Sequence, residues 1–219
     1  MKIVLDPGST HMGKAAYAKE LMDIAEDAGA DYIKFQLFPN TKEQKDKGNV
    51  HLRHDLFKEL WAHSQKKGTK CKLTASVFSS DDLDFLVSFD VPFIKFAYSQ
   101  QEQKSRIEGC LQSGRTVVVS TDDMGLTNLK EHPNLVKLFC SPLYPDRHKI
   151  DFEEMFPPFD GFSDHTRGIG QTLEAAAHGA EWIEKHITLE YSDVVCPDRA
   201  FALTAKQVKR MVKELRAIR

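Results

Sequence analysis

Short apolar segments alternate with amphipathic segments along this chain, and the alternation limits the possible folds more than any other feature. Eight strand-then-helix units fit into the 219 residues, or about 27 residues each. Strands that alternate with helices form parallel sheets, because each helix returns the chain to the same edge of the sheet. Eight units suit a closed barrel, for which about 200 residues is the lower end of the usual range. We therefore predict an α/β fold, a (β/α)8 TIM barrel in one compact domain spanning residues 1–219.

An open, doubly wound sheet is the alternative fold that the same alternation allows. Nucleotide-binding sheets of that kind carry a G-x-G-x-x-G turn after the first strand. Here the first predicted strand, Lys2 to Leu5, is followed by Pro7-Gly8 and later by Gly13, and these residues do not form the motif. The closed barrel is the better interpretation.

Three connections between the predicted strands have distinct patterns. The segment from Leu37 to Val50 is polar and rich in Lys, Asn and Asp, which predicts a long loop of the kind that often covers a site. Short helices are predicted from Leu126 to Glu131 and near Phe152 to Phe156.

The composition is that of an ordinary globular protein. Hydrophobic residues make up 41% of the chain and charged residues 28%, and the formal net charge is −2, so neither disorder nor nucleic-acid binding is expected. No apolar run approaches the roughly 20 residues of a membrane span, and the N-terminus does not resemble a signal peptide. We expect a cytoplasmic protein whose partners are small molecules rather than nucleic acid or a membrane.

Two lysines fall inside predicted strands, near their C-terminal ends, where the active site of an α/β barrel is formed. These are Lys34 and Lys95. A lysine that points into the barrel needs a compensating charge, and two such lysines with several hydroxyl groups would form an anion site, most naturally for phosphate plus carboxylate. The alternative is that both lysines point outward or pair with Asp and Glu side chains.

Two histidines follow short apolar segments, each directly after a charged residue, in Asp164-His165 and Lys185-His186. If the segments are neighbouring parallel strands, their ends lie about 4.7–4.9 Å apart, so the two imidazoles could share one metal ion. Ordinary hydrogen bonding at a strand end explains either histidine alone. Their corresponding positions in successive units favour a joint site.

At these residues the chain resembles the sialic acid synthases, the phosphoenolpyruvate-dependent N-acetylneuraminate synthase (NeuB-like) family, which also makes legionaminic and pseudaminic acids. The resembling segments follow one another in the family's order: Gly8 to Gly13, Ala28 to Gln36, Val91 to Lys95, Ser120-Thr121, Ser163 to Thr166, Ile183 to His186, and Pro197-Asp198. The resemblance covers the catalytic barrel, and we expect that barrel without the C-terminal antifreeze-like domain of family members.

The resemblance implies a transferase of carbohydrate biosynthesis that condenses phosphoenolpyruvate with an N-acetylhexosamine-type aldose and releases phosphate. A divalent metal ion, usually Mn²⁺ in this family with Mg²⁺ or Co²⁺ as alternatives, would bind His165 and His186 and polarise the aldehyde, and Asp164 would orient a histidine. The implied catalytic residues are Asp6, Lys34, Lys95 and Gln100. The implied substrate-binding residues are Gln36, Ser76, Ser120, Tyr144, Ser163 and Asp198. The resemblance also implies a homodimer.

Several positions depart from the family pattern. Asp6 stands where the family has Glu, and Gln100 stands where it has a second acidic residue, although an amide cannot act as a general base at neutral pH. Tyr98 replaces a small residue and is expected to narrow the pocket. Two alternatives therefore stay open: a non-catalytic or divergent barrel that binds sugar or phosphoenolpyruvate, and a Schiff-base aldolase that uses Lys95.

Overall fold

Eight parallel strands close into a barrel in a computed structural model, which describes residues 1–66, 68–122, 132–153, 155–156, 158–190 and 196–218. The strands are β1 (Lys2–Asp6), β2 (Tyr32–Leu37), β3 (Lys72–Val77), β4 (Ile94–Phe96), β5 (Val117–Thr121), β6 (Leu135–Phe139), β7 (Gly161–Asp164) and β8 (Trp182–His186). Each strand pairs with the next one along the chain, and β8 pairs with β1 to close the barrel. The predicted barrel is confirmed, and the open sheet is wrong.

Seven α-helices lie in the described part of the chain. They are α1 (Ala15–Ala28), α2 (Lys42–Asp46), α3 (His54–Ser64), α4 (Ser80–Val87), α5 (Lys104–Gln112), α6 (Gly170–Ala177) and α7 (Ala205–Ala217), and short 3-10 helices cover Tyr98–Gln100 and Pro197–Ala200. None of these helices is long and apolar enough to cross a membrane.

The predicted short helices have different outcomes. The described residues between Phe152 and Phe156 form turns, so the helix predicted there is wrong. A proline follows Phe156 in the sequence, and a proline disfavours helical geometry in the residue before it. The helix predicted from Leu126 to Glu131 lies outside the described residues. The helix α2 lies within the segment from Leu37 to Val50 that the sequence predicts as a loop.

Local sequence signals set several helix ends. The Ser79 hydroxyl accepts a hydrogen bond from the backbone N–H of Asp82 and begins α4. The helix α1 ends at Gly29, whose φ of +79° is easily adopted only without a side chain. Thr204 and Gln207 form a capping box at the start of α7.

The barrel interior changes from apolar to polar along the strand direction. Val4, Phe93, Val118 and Leu138 form one apolar cluster inside the barrel. Side chains two residues apart on a strand share a face. Asp6, Lys95 and Ser120 therefore point into the same interior one layer closer to the C-terminal ends of the strands. This change in polarity places the polar layer under the mouth of the barrel.

Candidate active site

A pocket of about 600 Å³ opens at the C-terminal ends of the strands. Except for Ser76, every site residue that the sequence predicts lines it: Asp6, Lys34, Gln36, Lys95, Gln100, Ser120, Tyr144, Ser163, His165, His186 and Asp198. The loop predicted to cover a site also contributes to the wall, through Glu43, Gln44, Lys47 and Asn49.

Lys34 points into the barrel and pairs with Asp6, as the alternative interpretation allowed, and the anion site stays a prediction. The Nζ atom of Lys34 lies 2.5 Å from Oδ2 of Asp6 and donates to Oγ of Ser76 at 3.0 Å. Gln36 donates to the same Asp6 oxygen at 2.8 Å. Ser76 is thus a buried partner of Lys34 and does not line the pocket.

Asp6 and Lys34 each stabilise the ionised form of the other, together with the charges around them. Burial raises the pKa of Asp6, but the charges of Lys34 and His186 outweigh burial and hold that pKa below its usual range. Burial lowers the pKa of Lys34, but Asp6 and Glu184 more than offset it, and the pKa lies above its usual value. Asp6 is therefore a poor proton acceptor in this arrangement.

Lys95 also points inward, but no carboxylate of the described residues lies within 3.5 Å of its ammonium group. Its Nζ atom donates to Oγ of Ser120 at 2.5 Å and to the carbonyl oxygen of Phe96 at 3.2 Å. The nearest carboxylate oxygen, Oε1 of Glu184, is 3.7 Å away. Burial lowers the pKa of Lys95, and Glu184 offsets this effect only in part.

Glu184 is the functional candidate that the sequence interpretation missed. Its carboxylate lies between the two lysines, with Oε2 at 3.8 Å from Nζ of Lys34. Oε1 accepts a hydrogen bond from Oγ of Ser163 at 2.9 Å, whereas Oε2 is buried without a hydrogen-bond partner among the described atoms. Glu184 stands two residues before His186 on β8, so strand alternation would have placed both side chains on one face.

His165 and His186 face each other across the ends of β7 and β8, with ring centroids 5.4 Å apart. Burial and the neighbouring His186 lower the pKa of His165 well below its usual value, so this imidazole is neutral at pH 7. A neutral imidazole is the form that binds metal ions. Sγ of Cys140 lies 3.7 Å from Nδ1 of His165.

The two imidazoles fit a metal ion as part of its ligand set. In the described residues, no group of three or more His, Cys, Asp or Glu side chains is arranged to hold a metal by itself. Nδ1 of His186 is buried 3.6 Å from Oδ1 of Asp198 and has no hydrogen-bond partner in the described structure, so this ring nitrogen is not committed to a hydrogen bond within the chain. The pair would therefore supply two nitrogen ligands, and substrate or water would complete the coordination.

Asp198 anchors the wall next to His186. Its Oδ2 atom accepts from the backbone N–H of Ser9 at 2.6 Å, and its Oδ1 atom accepts from the hydroxyl of Tyr144 and lies 3.6 Å from Nδ1 of His186. Gly8 leaves room for this contact, because a Cβ atom there would lie 2.2 Å from Oδ2 of Asp198. The roles of Asp198 and Tyr144 in sugar binding stay predictions.

Two of the residues that depart from the family pattern, Tyr98 and Gln100, also line the pocket. Tyr98 lines the pocket and donates to Oδ2 of Asp122 at 2.9 Å. Gln100 lines the same wall, and its amide donates to the carbonyl oxygen of Ser99 at 3.1 Å. The side chain at position 100 is placed to touch a ligand, but it has no group that takes up a proton at neutral pH.

The carboxylate of Asp164 makes no direct contact with a histidine, and its orienting role stays a prediction. Its oxygens accept from Nζ of Lys185, the hydroxyl of Thr172 and the backbone N–H of Thr166. The reason is strand alternation: Ser163 and His165 face the pocket, whereas Asp164 between them faces the surrounding helices.

Comparison with known proteins agrees with the fold. The model of the NeuB family matches residues 42–219. Similar curated proteins include the N,N'-diacetyllegionaminic acid synthase of Campylobacter jejuni, which is 26% identical over 99% of this chain and 75% of the relative. The N-acetylneuraminate-9-phosphate synthase of Mus musculus is also 26% identical, over 99% of this chain and 69% of the relative.

Solved structures show the same likeness. The N-acetylneuraminic acid (sialic acid) synthetase of Leptospira borgpetersenii matches with a TM-score of 0.83 and 27% identity, over 99% of this chain and 82% of that chain. A 3-deoxy-D-arabino-heptulosonate 7-phosphate synthase of Thermotoga maritima, 12% identical with a TM-score of 0.73, shares the fold. Because the family model matches most of the sequence, and relatives align over nearly all of it, the chain belongs to the NeuB family.

Proposed function

We propose that the protein is a phosphoenolpyruvate-dependent synthase of nonulosonic (sialic-type) acids, with an N-acetylhexosamine-type aldose as the acceptor. The observation that carries the proposal is the buried set of Lys34, Lys95 and Glu184 beside two facing imidazoles, at the mouth end of an α/β barrel. The relatives support this reaction class, since they are synthases of diacetyllegionaminic acid and of N-acetylneuraminate 9-phosphate.

The proposed reaction forms one C–C bond and breaks one C–O bond. C3 of phosphoenolpyruvate attacks the aldehyde carbon, and the aldehyde oxygen takes up a proton. Water adds at C2 and loses a proton, and the bond between C2 and the bridging oxygen then breaks. Phosphate leaves with that oxygen and takes up the remaining proton of the C2 hydroxyl, so that C2 becomes the keto carbon of the product.

The lysines and hydroxyls would bind and orient phosphoenolpyruvate. Lys95, which has no close carboxylate partner among the described residues, offers its charge to the phosphate or carboxylate of the substrate. Ser120 accepts from Lys95 and adds a hydroxyl donor, and Ser163 lines the same pocket. Fixed donors in a buried pocket stabilise developing negative charge better than water does, because they need no reorganisation.

Glu184 is the best-placed group to accept a proton from the attacking water. Asp6 is held in its ionised form by Lys34, and Gln100 is an amide. Oε2 of Glu184 is buried and free of hydrogen bonds to described residues, so it is available to a bound water molecule. We therefore assign proton transfer to Glu184 rather than to either position where the family has an acidic residue.

His165 and His186 would hold the divalent metal ion, with Mn²⁺ as the first choice and Mg²⁺ or Co²⁺ as alternatives. Bound there, the ion would act as a Lewis acid that polarises the aldehyde carbonyl. The neutral state of His165 keeps a nitrogen lone pair available for this purpose.

A phosphate-release assay tests the proposal. The protein is incubated with Mn²⁺, phosphoenolpyruvate and a panel of N-acetyl and diacetamido aldoses, and a Lys95→Met variant is the matched control. We expect aldose-dependent phosphate release that the variant loses. Absence of release with every aldose, from protein shown to be folded by circular dichroism, would overturn the synthase assignment. Binding of phosphoenolpyruvate without turnover would then identify a non-catalytic barrel.

A Schiff-base aldolase is the second candidate, because burial lowers the pKa of Lys95 and so raises the fraction of neutral amine. Its amine would condense with a ketone to an imine and release water. Borohydride treatment in the presence of pyruvate reduces such an imine to a stable secondary amine. A covalent adduct at Lys95, absent in Lys95→Met, would favour this candidate, and complete dependence of turnover on Mn²⁺ would exclude it.

A further inference from the structure

A fully buried ion pair joins the residues that precede the two facing histidines. Nζ of Lys185 lies 2.9 Å from Oδ2 of Asp164, and both side chains are 0% exposed. Asp164 and Lys185 are directly paired in the register of β7 and β8. The pair lies on the outer side of the barrel wall, because Thr172 of the surrounding helix α6 donates to Oδ2 of Asp164 at 2.5 Å.

The same pair contacts the backbone next to His165, which lies just beyond the end of β7. Oδ1 of Asp164 accepts from the backbone N–H of Thr166 at 2.7 Å, and Nζ of Lys185 donates to the carbonyl oxygen of Thr166 at 2.5 Å. The backbone is thus fixed on both sides of His165 by one buried network. The carbonyl oxygen of His165 accepts from the backbone N–H of Asp146 at 3.1 Å, which adds a third restraint.

His186 is restrained by the same strand pairing. Lys185 precedes it, and the adjacent strand β1 pairs with it at Asp6. The backbone N–H of Leu203 donates to the carbonyl oxygen of His186 at 2.8 Å. Successive side chains on a strand point to opposite faces. The contact between Asp164 and Lys185 outside the barrel therefore joins the two backbone positions that directly precede His165 and His186.

We propose that Asp164 and Lys185 are positioning residues whose buried ion pair sets the separation and orientation of the two imidazoles. The statement that the two imidazoles bind a metal ion rests on the proposed function, whereas the positioning of the rings does not. A buried ion pair is weak evidence for stability, because desolvation offsets much of its attraction, and apolar replacements can be equally stable. Such a pair can still select one arrangement of the groups around it, which is the role assigned here.

The test is the double variant Asp164→Asn/Lys185→Met, which removes both buried charges and keeps an oxygen acceptor for the N–H of Thr166. We expect it to fold, because no buried charge is left without a partner. In the metal-free protein, ¹⁵N NMR of the histidine rings should show single sharp tautomer signals for wild-type His165 and averaged or broadened signals in the variant. The affinity for Mn²⁺, measured by electron paramagnetic resonance of the free ion, should fall by about 10–100-fold.

Thr172→Val is a milder variant for the case in which the double variant fails to fold. It removes one hydroxyl donor to Asp164 and leaves the ion pair in place. We expect a smaller loss of Mn²⁺ affinity, of about threefold to tenfold, and a detectable change in the ring signals of His165.

Asp82→Asn is the matched control for general destabilisation. Asp82 is a buried carboxylate in α4 that contacts Ser79 and His54 and does not line the pocket. It should lower stability and leave the ring signals of His165 and His186, and the Mn²⁺ affinity, unchanged.

The outcomes separate the inference from the proposed function. Unchanged ring signals in the folded double variant, or in Thr172→Val if the double variant is unfolded, would overturn the positioning role. A wild-type protein that binds no Mn²⁺ would contradict the metal part of the proposed function, and the ring signals would then decide the positioning role alone. If Asp82→Asn changed the ring signals and the Mn²⁺ affinity as much as the double variant does, the positioning role would also be overturned.

Discussion

The Asp6 carboxylate and the Lys34 ammonium group form an ion pair of 2.5 Å inside the barrel, where both side chains are almost completely shielded from solvent. Lys95 lies in the same layer, but its closest contact is the hydroxyl of Ser120. The pocket therefore holds one lysine with a direct carboxylate partner and one lysine whose nearest carboxylate oxygen, in Glu184, is 3.7 Å away.

This difference predicts unequal effects of removing the two lysines. Lys34→Met leaves Asp6 buried without its cation, and we expect a loss of about 3–5 kcal/mol in the free energy of unfolding. Lys95→Met should cost less stability, because Glu184 keeps a contact with Lys34, but it should weaken binding of phosphoenolpyruvate. Urea unfolding and calorimetric titration measure the two effects. A loss of stability in Lys95→Met that equals the loss in Lys34→Met would contradict the distinction.

Glu184→Gln tests the assignment of proton transfer. The amide keeps the size of the side chain and can still accept from Ser163, but it cannot take a proton from water. We expect kcat to fall by about 10²–10⁴-fold, with far-ultraviolet circular dichroism unchanged. Glu59→Gln, at an exposed carboxylate that pairs with Lys19 and does not line the pocket, is the control and should retain activity. If kcat of Glu184→Gln stays within about threefold of wild type, another group activates the water.

Gly8→Ala should disturb the wall that holds His186. Gly8 has a φ of +53°, and an added Cβ atom would lie 2.2 Å from Oδ2 of Asp198 and 3.0 Å from Nδ1 of His186. The backbone strain costs about 1–2 kcal/mol, and the overlap adds roughly 1–3 kcal/mol to the loss in the free energy of unfolding. Turnover should fall as well.

Gly114→Ala is the control for backbone strain alone. Gly114 has a φ of +79°, and a Cβ atom there would meet no described atom within 4 Å apart from its chain neighbours. We expect the free energy of unfolding, measured in urea, to fall only by the cost of the backbone strain, and we expect turnover to be unchanged. Equal losses in the two alanine variants would mean that the contact of Gly8 with Asp198 has no energetic role.

His11 should make the protein less stable in mild acid. Burial lowers the pKa of His11 to about 4, although the charge of Asp6 partly opposes this effect. In the unfolded chain the pKa is about 6.5. Between these values the unfolded state binds the extra proton, so stability is fully present above pH 6.5 and is lost as the pH falls toward 4. The effect amounts to at most roughly 3 kcal/mol.

His11→Asn checks this dependence, because asparagine has no titrating group but can accept the N–H of Gly13 that now binds Nδ1 of His11. The free energy of unfolding, measured in urea at a series of pH values, should fall less steeply between pH 6.5 and 4.5 in the variant. An identical slope in wild type and variant would show that His11 does not cause the acid sensitivity.

Local patterns in the sequence determined the order of the elements and the residues that lie at their ends. Strand periodicity placed Lys34 and Lys95 near the ends of buried strands, and Gly29 and Ser79 marked helix ends through their own backbone and hydroxyl chemistry. These features depend on neighbours a few residues away in the chain, so the sequence alone was sufficient to predict them. The closed barrel was predicted from the number of strand-then-helix units.

Only the tertiary structure decided which of these groups touch. Glu184 lies between Lys34 and Lys95 because barrel closure brings β8, β2 and β4 around one interior, although the residues are far apart in the chain. Asp164 binds Lys185, because strand register turns both away from the pocket. Such contacts depend on register and closure, and these are properties of the whole barrel that no local segment encodes.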